Sequence, residues 1–428
     1  MVKKHVKLKR ALTLFDAVSI GLGAIIGAGI YVVVGIASGA AGPGVMLSVI
    51  LAGIIASFTA LSFAALGSAI IREGGAYEYV YELISPSLGF FTGWLWVFGQ
   101  IVAGAAVSLG FATYLSILLP LPVKFVAAGA CLLFMFLNLV GVKQSSLVND
   151  TLVASKILVL LIFVAVGVSY IKLSNFIPLM PNGFFGVVNG AALIFFAFLG
   201  YGRITTISEE VKNPERVVPL SILLALGISS ILYLLVSFTA VGIAGSDALS
   251  SSASPLAVAM GITGNELAVL VVSAGGILAT ASVLLTTLLG VSRVFFSMAR
   301  NKQMPEFINT IHPHFRTPYV SILFSGFLMA ALAFFGDLKQ VVSLASFSVI
   351  STHILVNYAA FKLRNRCSFK IPLYPIPPLL GMVSCAALAL SLLPHVWVLV
   401  SLVLLAGVVF SPEQIWGKKQ NHAKNQEN

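Results

Sequence analysis

The residues best placed to do chemistry are two cations and two runs of glycine, all set inside long apolar stretches. Residues 21–36 read GLGAIIGAGIYVVVGI, placing Gly21, Gly23, Gly27, Gly29 and Gly35 in an otherwise apolar run. Glycine costs a helix interior about 1 kcal/mol relative to alanine, so together these residues oppose a continuous helix. Such glycines can serve close helix packing, and Gly23 and Gly27 have the GxxxG spacing. They can also serve a break, where unwound backbone offers bare N–H and C=O groups to a polar ligand. A second run, ALIFFAFLGYGRITTISEE over 192–210, carries Gly200 and Gly202 at matching depth in its own apolar stretch.

A broken helix has a definite chemistry. The N-terminus of the resumed half presents N–H donors and the positive end of a helix dipole, which suit a carboxylate. The C-terminus of the first half presents carbonyls, which suit an ammonium group. Both together fit a zwitterion, that is an amino acid, with no charged side chain required.

The two cations are Lys156 and Arg203. Lys156 lies in NDTLVASKILVLLIFVAVG, about nine residues into its run and so roughly 13 Å deep at 1.5 Å per residue, near the middle of a ~30 Å hydrocarbon core. Its stem is too short to snorkel to the surface from there. An intramembrane lysine is read as functional, here as an amine that takes up and gives back a proton; the alternative is a structural tie between helices. Arg203 follows Gly202 and lies nearer the end of its run, within reach of Asp16, Glu209 and Glu210. A structural or gating salt bridge is expected there, and direct contact with an anionic substrate fits less well. Gln100 lies in the third run, where it either lines the pathway or bonds a neighbouring helix.

The elements that must position these groups follow from composition. The 428 residues are 59% hydrophobic and 9% charged, with a mean hydropathy of +1.03, against about 25% charged in soluble domains. This is a polytopic all-α membrane protein. Runs long enough to span fall near 14–36, 44–70, 88–119, 123–141, 148–171, 184–207, 219–243, 267–297, 318–335, 338–361, 376–393 and 395–411, which predicts twelve. The first has full spanning length and no cleavage site after it, so it reads as a membrane helix rather than a signal peptide. The last two share a tight Leu393-Pro394-His395 turn.

With the N-terminus inside, the cytoplasmic segments hold 20 Lys and Arg and the opposite loops three, Lys124, Lys172 and Lys339. The positive-inside bias therefore predicts both termini in the cytoplasm, in the cell membrane. It also accounts for the +11 net charge without nucleic acid. Cys131, Cys367 and Cys385 are few and scattered, giving no disulfide framework or metal site; no cofactor is expected, and a monomer suffices.

The glycine runs fall in spans 1 and 6. Interrupted helices at matching places in two halves point to an inverted-repeat transporter, with spans 1–5 and 6–10 as the repeats; an odd number of spans per repeat makes the second enter from the opposite side. The expected organisation is a basic tail at 1–12 and a transport core at 13–361, made of repeats 13–171 and 184–361. Two peripheral helices at 376–411 and a tail at 412–428 complete it.

GAIIGAGIY (23–31), EGGAYEY (73–79), FFAFLGYGRITTISEEVKNPERVVP (195–219) and SRVFFSMARNKQMPEF (292–307) occur in the order found in the amino acid–polyamine–organocation (APC) superfamily. The chain resembles its amino acid permeases, including the cationic amino acid transporter group, from about residue 12 to 361. The resemblance implies a LeuT-like 5+5 inverted repeat with discontinuous helices 1 and 6. It implies that the substrate carboxylate meets the N–H groups of Gly27, Ala28 and Gly29, and the ammonium the carbonyls of Ile25, Phe196 and Leu199, with Phe196 closing over the substrate. It further implies that Lys156 occupies the position of a sodium ion, touching the Gly23 carbonyl and the Ser282 or Thr280 hydroxyl, and so either proton coupling, as in a symporter, or proton-regulated transport. Two departures matter: Ala28 replaces a usual Ser or Thr, leaving only backbone for the carboxylate, and Gly202 replaces an Asp or Glu of the cationic transporters. With no carboxylate there, the expected substrates are neutral amino acids.

Other readings are an amino acid or amine exchanger, a uniporter, a channel and an intramembrane enzyme. Against an enzyme, the spans carry no paired Asp, His/Glu metal pair or Gly-x-Ser-Gly nucleophile, and of the six histidines only His353 and His395 fall within them. Against a channel, there is no ring of charge and no carbonyl filter motif. The glycine run lacks the βαβ context of a dinucleotide site.

Overall fold

The computed structural model describes residues 12–410 apart from 73, 142–145, 316, 365 and 393. The basic segment 1–11, the 412–428 tail, Glu73 and Leu393 lie outside the described residues. Within them the protein is helical, with one isolated bridge between Leu12 and Val211. The helices are α1 (Leu14–Ile25), α2 (Val34–Ala41), α3 (Val45–Ala69), α4 (Ala76–Leu83), α5 (Pro86–Leu118), α6 (Val123–Val140), α7 (Ser146–Gly167), α8 (Gly183–Phe198), α9 (Pro214–Ser250), α10 (Pro255–Ile262), α11 (Glu266–Arg300), α12 (Tyr319–Phe335), α13 (Leu338–Lys362), α14 (Ile376–Ser391) and α15 (Pro394–Phe410).

Among the described residues eight helical stretches are long and apolar enough to cross a membrane, or nine if the bent pair α14–α15 is one more. The first of them, Leu14–Ala69, is 56 residues long, far more than the ~20 that a bilayer requires. It turns at Gly42–Gly44, where Gly42 has a φ of 64° and its α-carbon faces the Pro181 ring. Outer helices carry unbroken apolar stripes: Val398, Leu402, Leu405 and Val409 are exposed at helical spacing on α15. In a bilayer such a stripe faces lipid.

α1 starts where a capping box fixes it. The Asp16 carboxylate accepts from the Thr13 N–H (2.8 Å) and hydroxyl (2.7 Å), and the Thr13 hydroxyl accepts from the Asp16 N–H. Just before it, the Leu12 N–H donates to the Glu210 carbonyl and the Lys212 N–H donates back to Leu12. The start of α1 is thereby tied to the end of the segment that follows α8.

From that tie the two segments run antiparallel. Gly21 faces Ile204, Gly200 faces Ala24 and Ile25, and Gly29 faces Ala197, so numbers rise along one as they fall along the other. Contact is backbone to backbone. A β-carbon on Gly200 would stand 2.3 Å from the Ala24 carbonyl carbon, and one on Gly29 would stand 2.4 Å from the Ala197 α-carbon. Packing thus accounts for two of the glycines, and the helix breaks lie at the same place.

Candidate functional site

α1 ends at Ile25. Ile26 is extended (φ −76°, ψ 99°), and helix resumes through a wide π turn over Gly29–Val33. The leading N–H groups of a resumed helix lack acceptors one turn back, while the last carbonyls of α1 lack donors. Two side chains supply those donors. The Lys156 amine, on α7, donates to the Gly23 (3.0 Å) and Ile26 (3.1 Å) carbonyls, and the residue is 1% exposed. The Tyr233 hydroxyl, on α9, donates to the Ile25 carbonyl (2.7 Å) and reaches the Ala197 carbonyl (3.2 Å), bridging the two antiparallel segments.

The second break is longer. α8 gives way at Leu199 to twelve residues of 3₁₀ helix, Leu199–Glu210, although 3₁₀ runs beyond three or four residues are uncommon and often mark functional hinges. The Thr205 and Thr206 hydroxyls donate back to the Gly202 and Arg203 carbonyls, which helps hold the tighter winding.

Arg203 projects from this segment toward α5 and α11. Its guanidinium donates to the Thr287 hydroxyl (2.6 Å), the Thr286 hydroxyl (2.8 Å) and the Gln100 side-chain oxygen (3.1 Å). The acids expected to pair with it are engaged elsewhere: Asp16 with Thr13, and Glu210 with Arg293 at 4.0 Å. The Glu209 side chain lies outside the described residues.

Ile25, Gly27, Ala28, Gly29, Phe196, Leu199 and Arg203, all singled out from sequence, line one small cavity at the breaks. Its water-accessible space is about 30 Å³, on the order of two waters, so a larger ligand must push the lining apart. Gln100 also lines it, as do Ala103 and Val107 of α5, Gly200, and Val283 and Thr287 of α11. No local signal marks the aliphatic members, since tertiary packing alone brings them there. Thr287 sits among the hydroxyls of one face of α11 and could have been found from that spacing.

Gly23, Lys156, Thr280 and Ser282 stand apart from the cavity lining. Lys156 and Gly23 meet directly, behind the break. The Thr280 hydroxyl donates to the Gly276 carbonyl and the Ser282 hydroxyl to that of Ala279, both along their own helix. The Ile25 and Phe196 carbonyls already accept one bond each, from Tyr233 and from the Leu199 N–H; each keeps a second lone pair.

A separate polar cluster ties α4 to the end of α11. Buried Glu78 accepts from the Ser297 hydroxyl (2.6 Å) and the Asn301 amide (3.3 Å), with the Arg300 guanidinium at 3.5 Å. Beside it, the Tyr77 hydroxyl donates to Gln303 (2.8 Å) and accepts from Asn301 (2.9 Å). Burial pushes the Tyr77 phenol well above the usual tyrosine range, so it remains a donor. These residues belong to the EGGAYEY and SRVFFSMARNKQMPEF stretches, which this contact joins.

The family model described as amino acid permease matches residues 12–416. The chain is 33% identical over 411 residues to the branched-chain amino acid permease BcaP of Bacillus subtilis, covering 90% of this chain and 88% of that protein. It is 30% identical over 419 residues to the methylthioribose transporter of the same organism, covering 92% and 91%. To the vacuolar cationic amino acid transporter 4 of Arabidopsis thaliana it is 32% identical over 383 residues, covering 84% of this chain and 64% of the plant protein.

Proposed function

Because the chain belongs to the amino acid permease family of the APC superfamily, and its relatives are named as membrane transporters, we propose that it is a secondary transporter of neutral amino acids. Transport is by alternating access, with protons coupled through Lys156. The observation that carries the reading is the pair of broken segments crossing at Gly29–Ala197 and Gly200–Ile25 around a cavity, with a buried amine on the carbonyl end of the first break.

The substrate carboxylate lies on the N–H groups of Gly27, Ala28 and Gly29. These sit at the start of a resumed helix, whose dipole favours a negative charge, and Ala28 adds no hydroxyl. The ammonium lies on the free lone pairs of the Ile25, Phe196 and Leu199 carbonyls. Phe196 closes the cavity. The described part of the site offers two cations and no carboxylate, which argues against cationic substrates despite the plant relatives' name.

Coupling runs through the charge of Lys156, because its amine holds the carbonyls of the very break that binds substrate. Around this core lie twelve spans, Leu14–Ala69 forming two and α12, α14 and α15 one each. Residues 13–171 and 184–361 are inverted repeats of a LeuT-like fold, and both termini lie in the cytoplasm.

Uptake of labelled amino acids by proteoliposomes, with and without an imposed pH gradient, tests this. Uptake into empty vesicles driven by an inward proton gradient, and lost to that gradient in Lys156→Met, is the expected result. Uptake that ignores pH overturns the coupling, and uptake only into preloaded vesicles replaces it with exchange. No uptake of any amino acid overturns the whole reading.

A further inference from the structure

Arg203 is a cation in the wall of the cavity, and its partners are all uncharged. Three of the five N–H donors of a guanidinium are used, on Gln100, Thr286 and Thr287. Among the described side chains no carboxylate hydrogen-bonds or ion-pairs with it. Intramembrane arginines ordinarily find an opposite charge or a backbone carbonyl; here Nη2 donates to both Gln100 and Thr287 and Nη1 to Thr286, so the spare donors, on Nε and Nη1, each offer a single bond to an acceptor oxygen. This one is held in place by three neutral oxygens and keeps donors to spare, beside a cavity that it lines together with Gln100 and Thr287. Its position along the segment is also informative. It follows Gly200, the contact point with Ile25, by one 3₁₀ turn, about 6 Å of rise. That offset is comparable with the reach of a glutamine or glutamate side chain from its main-chain atoms.

We infer that Arg203, positioned by Gln100, Thr286 and Thr287, is the specificity-determining residue of the site, and that it selects amino acids whose side chain ends in an acceptor oxygen, a carboxamide or a carboxylate. The inference rests on the amino-acid site proposed above and names the side-chain end it takes; a preference for glutamine keeps the substrate neutral, and one for glutamate extends the site beyond neutral amino acids. An apolar side chain leaves the spare donors unmatched, and a lysine or arginine side chain brings like charge to them. The rest of the wall, Val107, Phe196 and Val283, accommodates the methylenes between the two ends of such a substrate.

The test uses purified full-length protein in proteoliposomes and initial uptake rates of labelled glutamine, glutamate, leucine and lysine, for wild type and for Arg203→Gln and Arg203→Lys. Wild type is expected to prefer glutamine or glutamate to both leucine and lysine. In Arg203→Gln the ratio of the preferred substrate to leucine falls about tenfold or more, the worth of a hydrogen bond to a charged group, through a raised KM. Arg203→Lys restores part of the ratio if glutamate is the preferred substrate and little of it if glutamine is, which separates the two acceptor chemistries. A variant that folds poorly lowers all rates together and leaves the ratio unchanged, so thermal unfolding of each variant is measured alongside. A wild type that prefers leucine or lysine overturns the inference and leaves the transporter reading standing. So does a ratio that moves less than about twofold in a well-folded Arg203→Gln. Absence of uptake for every amino acid overturns both.

Discussion

Replacing Gly200 with alanine adds one methyl group at the place where the two broken segments touch. The new β-carbon would stand 2.3 Å from the Ala24 carbonyl carbon, 2.4 Å from the Ile25 nitrogen and 2.5 Å from the Ala24 oxygen. All three are backbone atoms, so no side chain can rotate away. Real β-carbons essentially never come within 3.0 Å of such atoms, so the segments must part by at least the 0.7 Å difference between 3.0 and 2.3 Å. Overpacking of this kind costs typically 1–3 kcal/mol. The displaced backbone leads directly into the Ile25 carbonyl proposed to grip the substrate amine, and misplacement on the order of 1 Å at a binding centre can cost about a hundredfold in rate. Gly200→Ala is therefore expected to lower the unfolding temperature in detergent and to reduce amino acid uptake by one to two orders of magnitude, roughly. Gly227→Ala is the control, since a β-carbon there meets nothing within 4 Å. In the middle of α9 it should stabilise by about 0.5–1 kcal/mol. Wild-type stability and uptake in Gly200→Ala would refute the close-approach argument, and a comparable loss in Gly227→Ala would show that the assay reads bulk rather than the crossing.

Tyr233→Phe removes the hydroxyl that bridges the Ile25 and Ala197 carbonyls; a loss of about 1–3 kcal/mol in thermal unfolding is expected, with reduced uptake. Glu78→Ala leaves Ser297, Asn301 and Arg300 without their shared acceptor; because Arg300 is half exposed, the expected loss is modest, about 1–2 kcal/mol, read in the same unfolding assay. Single cysteines replacing Ser174 and Lys302, in a background without the native cysteines, should be labelled from opposite sides of the membrane by an impermeant maleimide in oriented vesicles; labelling from one side would overturn the span count.

The sequence made the helices legible because each apolar run is bounded by polar or turn-forming residues. The expected 123–141 and 338–361 became Val123–Val140 and Leu338–Lys362. α4 and α10, short helices in the connections, were not anticipated, since eight residues carry too little periodicity to stand out. The break at 26–28 was legible from glycine spacing, but the π turn after it and the twelve-residue 3₁₀ stretch were not, because both depend on what packs around them. Tyr233 is the clearest omission: nothing in LGISSILYLLVSF marks a tyrosine whose hydroxyl caps a helix 208 residues away. Arg203 is visible as a residue but its partners are not, because an arginine in an apolar run suggests an acid and the structure supplies two threonines and a glutamine.

The two bonds from Lys156 constrain how a proton could act at this site. An ammonium has three donors and a neutral amine has two, while the structure uses two, on Gly23 and Ile26. Loss of a proton therefore need not break either carbonyl bond. What changes is the charge behind the break, felt by the substrate through the low dielectric of the membrane interior, and not the geometry of the break itself. Proton coupling of this kind should alter substrate affinity with pH, and by linkage the stability of the substrate-free protein changes over the same range wherever the folded and unfolded lysine hold different numbers of protons. Lys156→Met separates the two functions differently, because it strips both carbonyls of their donor. It should lower the unfolding temperature at every pH and make affinity independent of pH. Equilibrium binding and thermal unfolding, measured across one pH series for both proteins, decide the matter. A Lys156→Met protein whose affinity still changes with pH would mean that a group other than Lys156 couples the proton to the substrate.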